Sequence, residues 1–362
     1  MNARGRQICT HLNEPVDVLL VKNNGEPFID DNFFYLTEAK HGLFEGCTVL
    51  AYPDRRMDVL VSRLEQESAS QIDASLHVYS SKEEHDSILS KLVGTQAIIG
   101  VNYQRWTYHD ISWLKKLVTP KKLVDTSQAF QQSRLIKDNK EVSHIKKACH
   151  ITDKVTSQLT RFIIPGMKES ELAAEIEYQM KKNGAHQPAF TTISSFGKHT
   201  AEPHYTHGDT KLEGDVFIVC DFGARFNRYN ADSTRTLFYG NPNKEHQSMY
   251  ETVLAAQQHA FDMIQPGKKA SVIYQQVVDF INNTKWKHRF IHSLGHSLGL
   301  AVHDGPGFSA SSTLVLEEGM VLTVEPGIYI PGVGGVRIED DILITKQGFK
   351  LLTTSSKELL IV

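Results

Sequence analysis

The sequence predicts an α+β fold of two domains, drawn at residues 1–126 and 127–362, and three observations carry that prediction. A chain of 362 residues exceeds the roughly 150 of one typical domain. Its first third alternates short apolar runs with helical stretches. In the remainder, one helix-and-strand unit occurs twice.

In the first domain, strands are expected at Val16–Val21 (VDVLLV), Phe33–Thr37, Thr48–Tyr52 and Met57–Val61, where apolar and β-branched residues run together. Ser62–Ser68, Lys82–Leu92 and Thr107–Leu117 read as helices, and Ala97–Val101 and Leu123–Asp125 as later strands. Such alternation implies a small α/β domain with a mixed or parallel sheet. The pairs Asp30-Asp31 and Glu83-Glu84, with His85, read as solvated surface, and no catalytic constellation stands out. The pattern changes near residues 126–134.

The second domain opens with one long helix from Asn139 to Phe162, its apolar stripe running through Val142, Ile145, Cys149, Val155 and Leu159. It stops at Pro165-Gly166, and a further helix runs from Ser170 to Gly184 with Lys181-Lys182 in its last turn. The same arrangement returns over Phe261–Ile281. Pro165 and Pro266, Ser170 and Ser271, Leu172 and Ile273, Ile176 and Val277, and Met180 and Ile281 are each 101 residues apart. The match continues from Glu213-Gly214 and VFIVCDFG to Glu318-Gly319 and VLTVEPG. Two copies are too few for a solenoid, so they are expected to face each other about a pseudo-twofold axis in one closed domain. A site at the centre would draw residues from both halves.

The stretch Ile291–Asp304 (IHSLGHSLGLAVHD) sets His292, His296 and His303 among glycines. Gly295 and Gly299 argue against a helix interior, where glycine costs about 1 kcal/mol relative to alanine. An extended or irregular segment is expected, open to close approach by a backbone or ligand.

Each half also ends a strand in an acid. Asp221 follows Val216–Cys220, Ala224–Asn230 turns, and Asp232 opens DSTRTLFYG. Val321–Val324 leads into Glu325, then GIYIPGVGG, then Val336-Arg337-Ile338-Glu339. Carboxylates are disfavoured in strands and rarely buried without a partner. Four of them beside histidines point to a cation cluster, because unpaired like charges would raise one another's pKa. The donor count exceeds the needs of one zinc and suits two divalent ions bridged by carboxylates and a water. Oxygen-rich ligation with one imidazole favours manganese, cobalt or iron at least as much as zinc. The competing reading is that Asp221 and Asp232 cap a hairpin and Glu339 pairs with Arg337.

Other classes are disfavoured. The net charge is −3 and no long basic run occurs, so neither nucleic acid nor an anionic membrane is an expected partner. Cys9, Cys47, Cys149 and Cys220 form no CxxC pair and read as reduced thiols. The N-terminus lacks the apolar core of a signal peptide, and no apolar run reaches the roughly 20 residues of a membrane span. A cytoplasmic location is expected.

DFG…ADSTRT, GHSLG, VEPGIYI and GVRIED together resemble the pita-bread dinuclear metallopeptidases over residues 134–362, and the N-terminal α/β domain resembles the creatinase-like domain of the prolidase and aminopeptidase P branch. The resemblance implies two divalent ions per subunit, manganese or cobalt foremost, with zinc or iron as alternatives. Their ligands would be Asp221, Asp232, His296, Glu325 and Glu339, with Asp232 and Glu339 bridging and Glu325 also acting as general base. His204, in EPHYTHGD, would contact substrate, and His303 would steady the tetrahedral intermediate. His292 and Arg337 would line the proline-side pocket and anchor the substrate carboxylate. The activity implied is hydrolysis of the bond between an N-terminal residue and proline by a homodimeric Xaa-Pro dipeptidase. An Xaa-Pro aminopeptidase or a metal-free peptide-binding relative are the alternatives. Ala231, Ser297-Leu298 and Asp304 depart from the family's common residues without removing a ligand.

Overall fold

The computed structural model describes residues 3–362, which divide into two compact units on either side of Arg134/Leu135. The first is built on a six-stranded mixed sheet. Its spatial order is Ser75–Tyr79, Met57–Ser62, Thr48–Ala51, Val18–Lys22, Ile98–Val101, Lys122–Asp125. Val18–Lys22 pairs antiparallel with Thr48–Ala51 and parallel with Ile98–Val101. Leu20, Leu50, Leu60 and Ile99 bury one face against Leu89 and Leu114, carried on the helices Lys82–Val93 and Tyr108–Val118.

Three expectations for this unit are corrected. Phe33–Thr37 is not a strand but most of the helix Asp31–Thr37, capped by the Asp30 carboxylate, which accepts from Asn32 N at 2.9 Å. Phe33, Phe34, Tyr35 and Leu36 are all buried, so the segment shows no periodicity to distinguish helix from strand. Asp30 and His85 are buried rather than solvated. His85 lies 3.0 Å from Thr48 Oγ1 and 3.0 Å from Asp86. The strand Ser75–Tyr79 and the helices Ala3–Thr10 and Ser127–Leu135 were not anticipated. The last of these is tied to the first unit by Tyr35 Oη donating to Ser133 O and Arg134 donating to Asn32, both at 2.9 Å.

The second unit has the expected internal repeat. The opening helix is Asn139–Thr156, then a break, then Leu159–Phe162. Thr152, Thr156 and Ser157 hydroxyls bond back to carbonyls of the preceding turn, a competition that loosens a helix. The paired helices are Glu169–Lys182 and Ala270–Asn282. Their entries are held alike: Gly166 N donates to Leu212 O at 3.0 Å, and Gly267 N to Leu316 O at 2.8 Å. Each half has its own core. One centres on Leu172, Ile176 and Met180 against Ile218, Cys220 and Leu237, the other on Ile273, Val277 and Ile281 against Leu322, Val324 and Ile342.

Two three-stranded antiparallel sheets carry the acids: Ser233–Tyr239, Val216–Phe222, Ile193–Phe196, and Val321–Val324, Asp340–Thr345, Gly348–Leu351. They meet where Glu339 N donates to Thr234 O at 3.1 Å and Thr236 Oγ1 donates to Arg337 O at 2.8 Å. Among the described residues no helix is long and apolar enough to cross a membrane.

Candidate active site and metal centre

Both halves deliver their acids to this junction through strand register. Asp221 pairs across the sheet with Thr234, so Asp232 emerges beside it after a tight hairpin turning on Asn227 and Arg228, both at positive φ. Gly223 lets that hairpin close, since a Cβ there would lie 1.7 Å from Ala231 O. Glu325 and Glu339 flank the antiparallel pairing of Val324 with Asp340.

The segment 291–304 is irregular, as its glycines imply, and it lies along the strand Val321–Val324. His296 N donates to Thr323 Oγ1 at 3.1 Å, Thr323 N to His296 O at 2.9 Å, and Glu325 N to Leu294 O at 2.8 Å. Gly295 is required at this crossing, because a Cβ would fall 2.0 Å from Thr323 O. Two neighbouring backbones thus fix His296 and Glu325 relative to each other.

All nine residues singled out in the sequence line one cavity of about 400 Å³: His204, Asp221, Asp232, His292, His296, His303, Glu325, Arg337 and Glu339. Phe190, Ile193, Pro203 and Val302 supply an apolar wall that sequence reasoning missed, having no pattern to mark it. Asp232, His296 and Glu339 each offer a ligand atom, and the three atoms lie within 4.8 Å of one another. His296 Nε2 is 3.5 Å from Asp232 and 3.5 Å from Glu325 Oε1.

The donor set fits divalent cations on three further grounds. Asp221 Oδ1 and Asp232 Oδ1 are buried acceptors with no protein partner. Burial, then repulsion from neighbouring carboxylates, pushes Asp232 and Glu339 well above the usual carboxylate range. Burial raises Glu325 as well. Buried carboxylates crowded in this way are stable as anions only beside compensating positive charge.

Arg337 supplies part of that charge, and its ion-pair partner is Asp221 at 2.6 Å rather than Glu339. Glu339 instead accepts from Thr234 Oγ1 at 2.7 Å. The guanidinium also donates to Thr234 Oγ1 at 3.0 Å and to Tyr329 Oη at 2.9 Å. Tyr329, likewise unanticipated, is buried and passes the chain on to His292 Nε2 at 2.8 Å. His292 Nδ1 faces Ser293 O at 2.7 Å, which leaves Nε2 to accept from the tyrosine. Burial, then the Arg337 charge, lowers His292 to about 4, so the ring is neutral near pH 7. His303 meets His296 edge-on with ring centroids 4.2 Å apart, and it too is lowered, first by burial.

The arrangement brings four carboxylates, four imidazoles and a guanidinium to one small cavity, and three of those groups lie close enough to share a cation. The chain as a whole is similar to known proteins. Residues 143–346 match metallopeptidase family M24, and residues 6–136 match the creatinase/prolidase N-terminal domain. An Xaa-Pro dipeptidase of Pyrococcus horikoshii is 44% identical over 253 residues, 70% of this chain and 72% of that protein. The solved prolidase from Pyrococcus horikoshii OT3 superposes with a TM-score of 0.90 at 36% identity, covering 99% of this chain and 100% of its own. An X-Pro aminopeptidase from Thermotoga maritima gives 0.89 at 30% identity, over 96% of this chain and 98% of its own. With more than half its length in that match and its acids meeting between two facing halves, the chain belongs to metallopeptidase family M24, a pita-bread enzyme behind a creatinase/prolidase N-terminal domain.

Proposed function

We propose that this metallopeptidase is an Xaa-Pro dipeptidase, cleaving the bond between an N-terminal residue and a C-terminal proline. The observation that carries the reading is the convergence on one small cavity of a metal-binding acid cluster, a buried arginine and three further histidines. Asp221, Asp232, His296, Glu325 and Glu339 would hold two divalent ions, manganese or cobalt foremost given four carboxylates to one imidazole. Bound there, the ions supply Lewis acidity and a water of lowered pKa.

The chain's own groups do the rest. Glu325, positioned by Thr323 Oγ1 at 3.2 Å, takes the proton of the attacking water. His303 and His204 donate to the carbonyl oxygen as charge develops on it. Arg337 has five N–H donors and three are committed to Asp221, Tyr329 and Thr234, leaving two for the substrate carboxylate. Neutral His292 and the apolar wall of Phe190, Ile193 and Val302 accept the proline ring, whose imide nitrogen carries no N–H. A cavity of about 400 Å³ suits a short peptide. A cytoplasmic homodimer completes the reading, supported by the resemblance alone.

The similarity to an X-Pro aminopeptidase supports a second reading, release of the first residue from longer X-Pro chains. Metal-stripped protein, reloaded separately with manganese, cobalt or zinc, would be offered Met-Pro, an X-Pro-X tripeptide and proline-free Met-Ala-Ser. Cleavage of the dipeptide alone is expected. Release from the tripeptide would move the assignment to aminopeptidase P, and no turnover with any ion would refute the peptidase reading. Glu325→Gln, at full metal occupancy, should lose about 10²-fold or more in kcat, and near-native turnover would exclude Glu325 as the base.

A further inference from the structure

His204 sits on a segment with little regular structure. Between the strands Ile193–Phe196 and Val216–Phe222 only one short 3-10 turn, Gly197–Ala201, precedes it. Yet this segment delivers both Pro203 and His204 to the cavity wall. Something else must hold it.

Besides single bonds such as Gly335 N to Thr200 Oγ1 at 2.7 Å, several of its residues converge on Glu169, the first residue of the helix Glu169–Lys182, whose side chain is wholly buried. Its Oε1 accepts from Phe196 N at 2.8 Å and lies 3.0 Å from His199 Nδ1. Its Oε2 accepts from Tyr205 Oη at 2.8 Å and Gly208 N at 3.2 Å. The four donors bracket His204 on both sides, and His199 stacks on Tyr205 with centroids 4.4 Å apart. Glu169 itself does not line the cavity.

The internal repeat supplies a control within the same molecule. Position 169 corresponds to position 270, and the backbone there is held in the same way: Glu169 N donates to Thr210 O at 3.0 Å, Ala270 N to Leu314 O at 2.9 Å. The residue at 270 is alanine, also fully buried. The fold of the repeat therefore does not require a carboxylate at this place. The matching segment of the second half, residues 297–309, also reaches the cavity, through Val302 and His303, and is held without a carboxylate at position 270. A buried carboxylate needs several donors to offset its desolvation, and here all four come from the segment that carries Pro203 and His204.

We infer that Glu169 is a positioning residue that holds His204 against the substrate by clamping residues 196–208 from outside the cavity. The inference rests on the reading of His204 as a substrate-contacting residue. It is tested by a double-variant cycle on the metal-loaded protein with an Xaa-Pro dipeptide. Glu169→Gln keeps the size of the side chain but replaces one acceptor oxygen with a donor. It should lower kcat/KM about tenfold or more, as displacement of a reacting group does. His204→Ala should lower it at least as much, and E169Q introduced into H204A should cost nothing further. Metal content should stay at the wild-type level in all three. Tyr205→Phe, which deletes one of the four donors, is the milder variant should E169Q fold poorly, and its smaller loss should likewise vanish in H204A. Hydrogen exchange in E169Q should rise over residues 197–210 and remain unchanged over 305–316. Additive losses, or an E169Q enzyme with wild-type kcat/KM, would overturn the clamp while leaving His204 in its role. An H204A enzyme with wild-type kcat/KM would instead overturn the reading of His204, and the clamp's purpose with it.

Discussion

Removal of one oxygen tests how far the site depends on the groups behind it. Tyr329 is buried, and its hydroxyl accepts from Arg337 at 2.9 Å while donating to His292 at 2.8 Å. Burial pushes its pKa up to about 12, so it is a neutral hydroxyl at working pH. Tyr329→Phe preserves the ring and deletes both bonds. The one to the charged guanidinium is worth about 2 kcal/mol and the one to the neutral imidazole about 1 kcal/mol, giving a loss of about 3 kcal/mol. For a unit of this size that corresponds to a fall in Tm of about 6–12 °C. Arg337 and His292 both line the cavity, and in the proposed function both contact the substrate, so KM for an Xaa-Pro dipeptide should rise about tenfold while kcat changes less. Urea and thermal unfolding of the metal-free protein measure the first effect, and steady-state kinetics of the reloaded enzyme the second. A Y329F protein within about 0.5 kcal/mol of wild type would show that the two bonds carry no net stability and refute the reasoning.

Two more outcomes follow from the fold. Asp30 is pushed up to about 6, first by burial, so the folded state binds its proton more tightly than the unfolded chain does. Its stabilising protonated form is present below about pH 4 and lost as pH rises through about 6, a cost approaching 3 kcal/mol at 1.36 kcal/mol per unit. The stability of wild type minus that of Asp30→Asn, by urea unfolding, should fall by about that much between pH 4 and pH 7; a flat difference would contradict it. Gly295→Ala would press a Cβ against Thr323 O and should cost about 3 kcal/mol. Because the strain falls beside His296, metal affinity by titration calorimetry should drop as well, and an unchanged affinity would mean that the crossing does not set the ligand's position.

Much of the site was legible because its chemistry is written in residue types that strands otherwise exclude. Asp221 after VFIVC and Glu325 after VLTV stand out against apolar runs, and the 101-residue spacing of the flanking helices told that the two belong to facing halves. Thr323 carried a similar signal, a polar residue inside a buried strand, and it turned out to touch both His296 and Glu325. Phe190, Ile193 and Val302 carried none, since an apolar residue looks the same whether it faces a core or a cavity. In the first domain Phe33–Thr37 misled for a related reason: a helix buried on every side loses the periodicity that would identify it.

By itself the sequence determined the two-part plan, the internal repeat and the set of groups able to hold cations, because hydrophobic period and residue chemistry are local properties. Which group each of them meets is decided by register and by the approach of distant strands. Only the tertiary structure pairs Arg337 with Asp221 instead of its near neighbour Glu339, inserts Tyr329 between Arg337 and His292, and buries Glu169 beneath the segment that carries His204. Those partners lie 8 to 116 residues apart in the chain, and no short-range pattern records contacts that form only when strands and loops pack, within one half or, for Arg337 and Asp221, between the two.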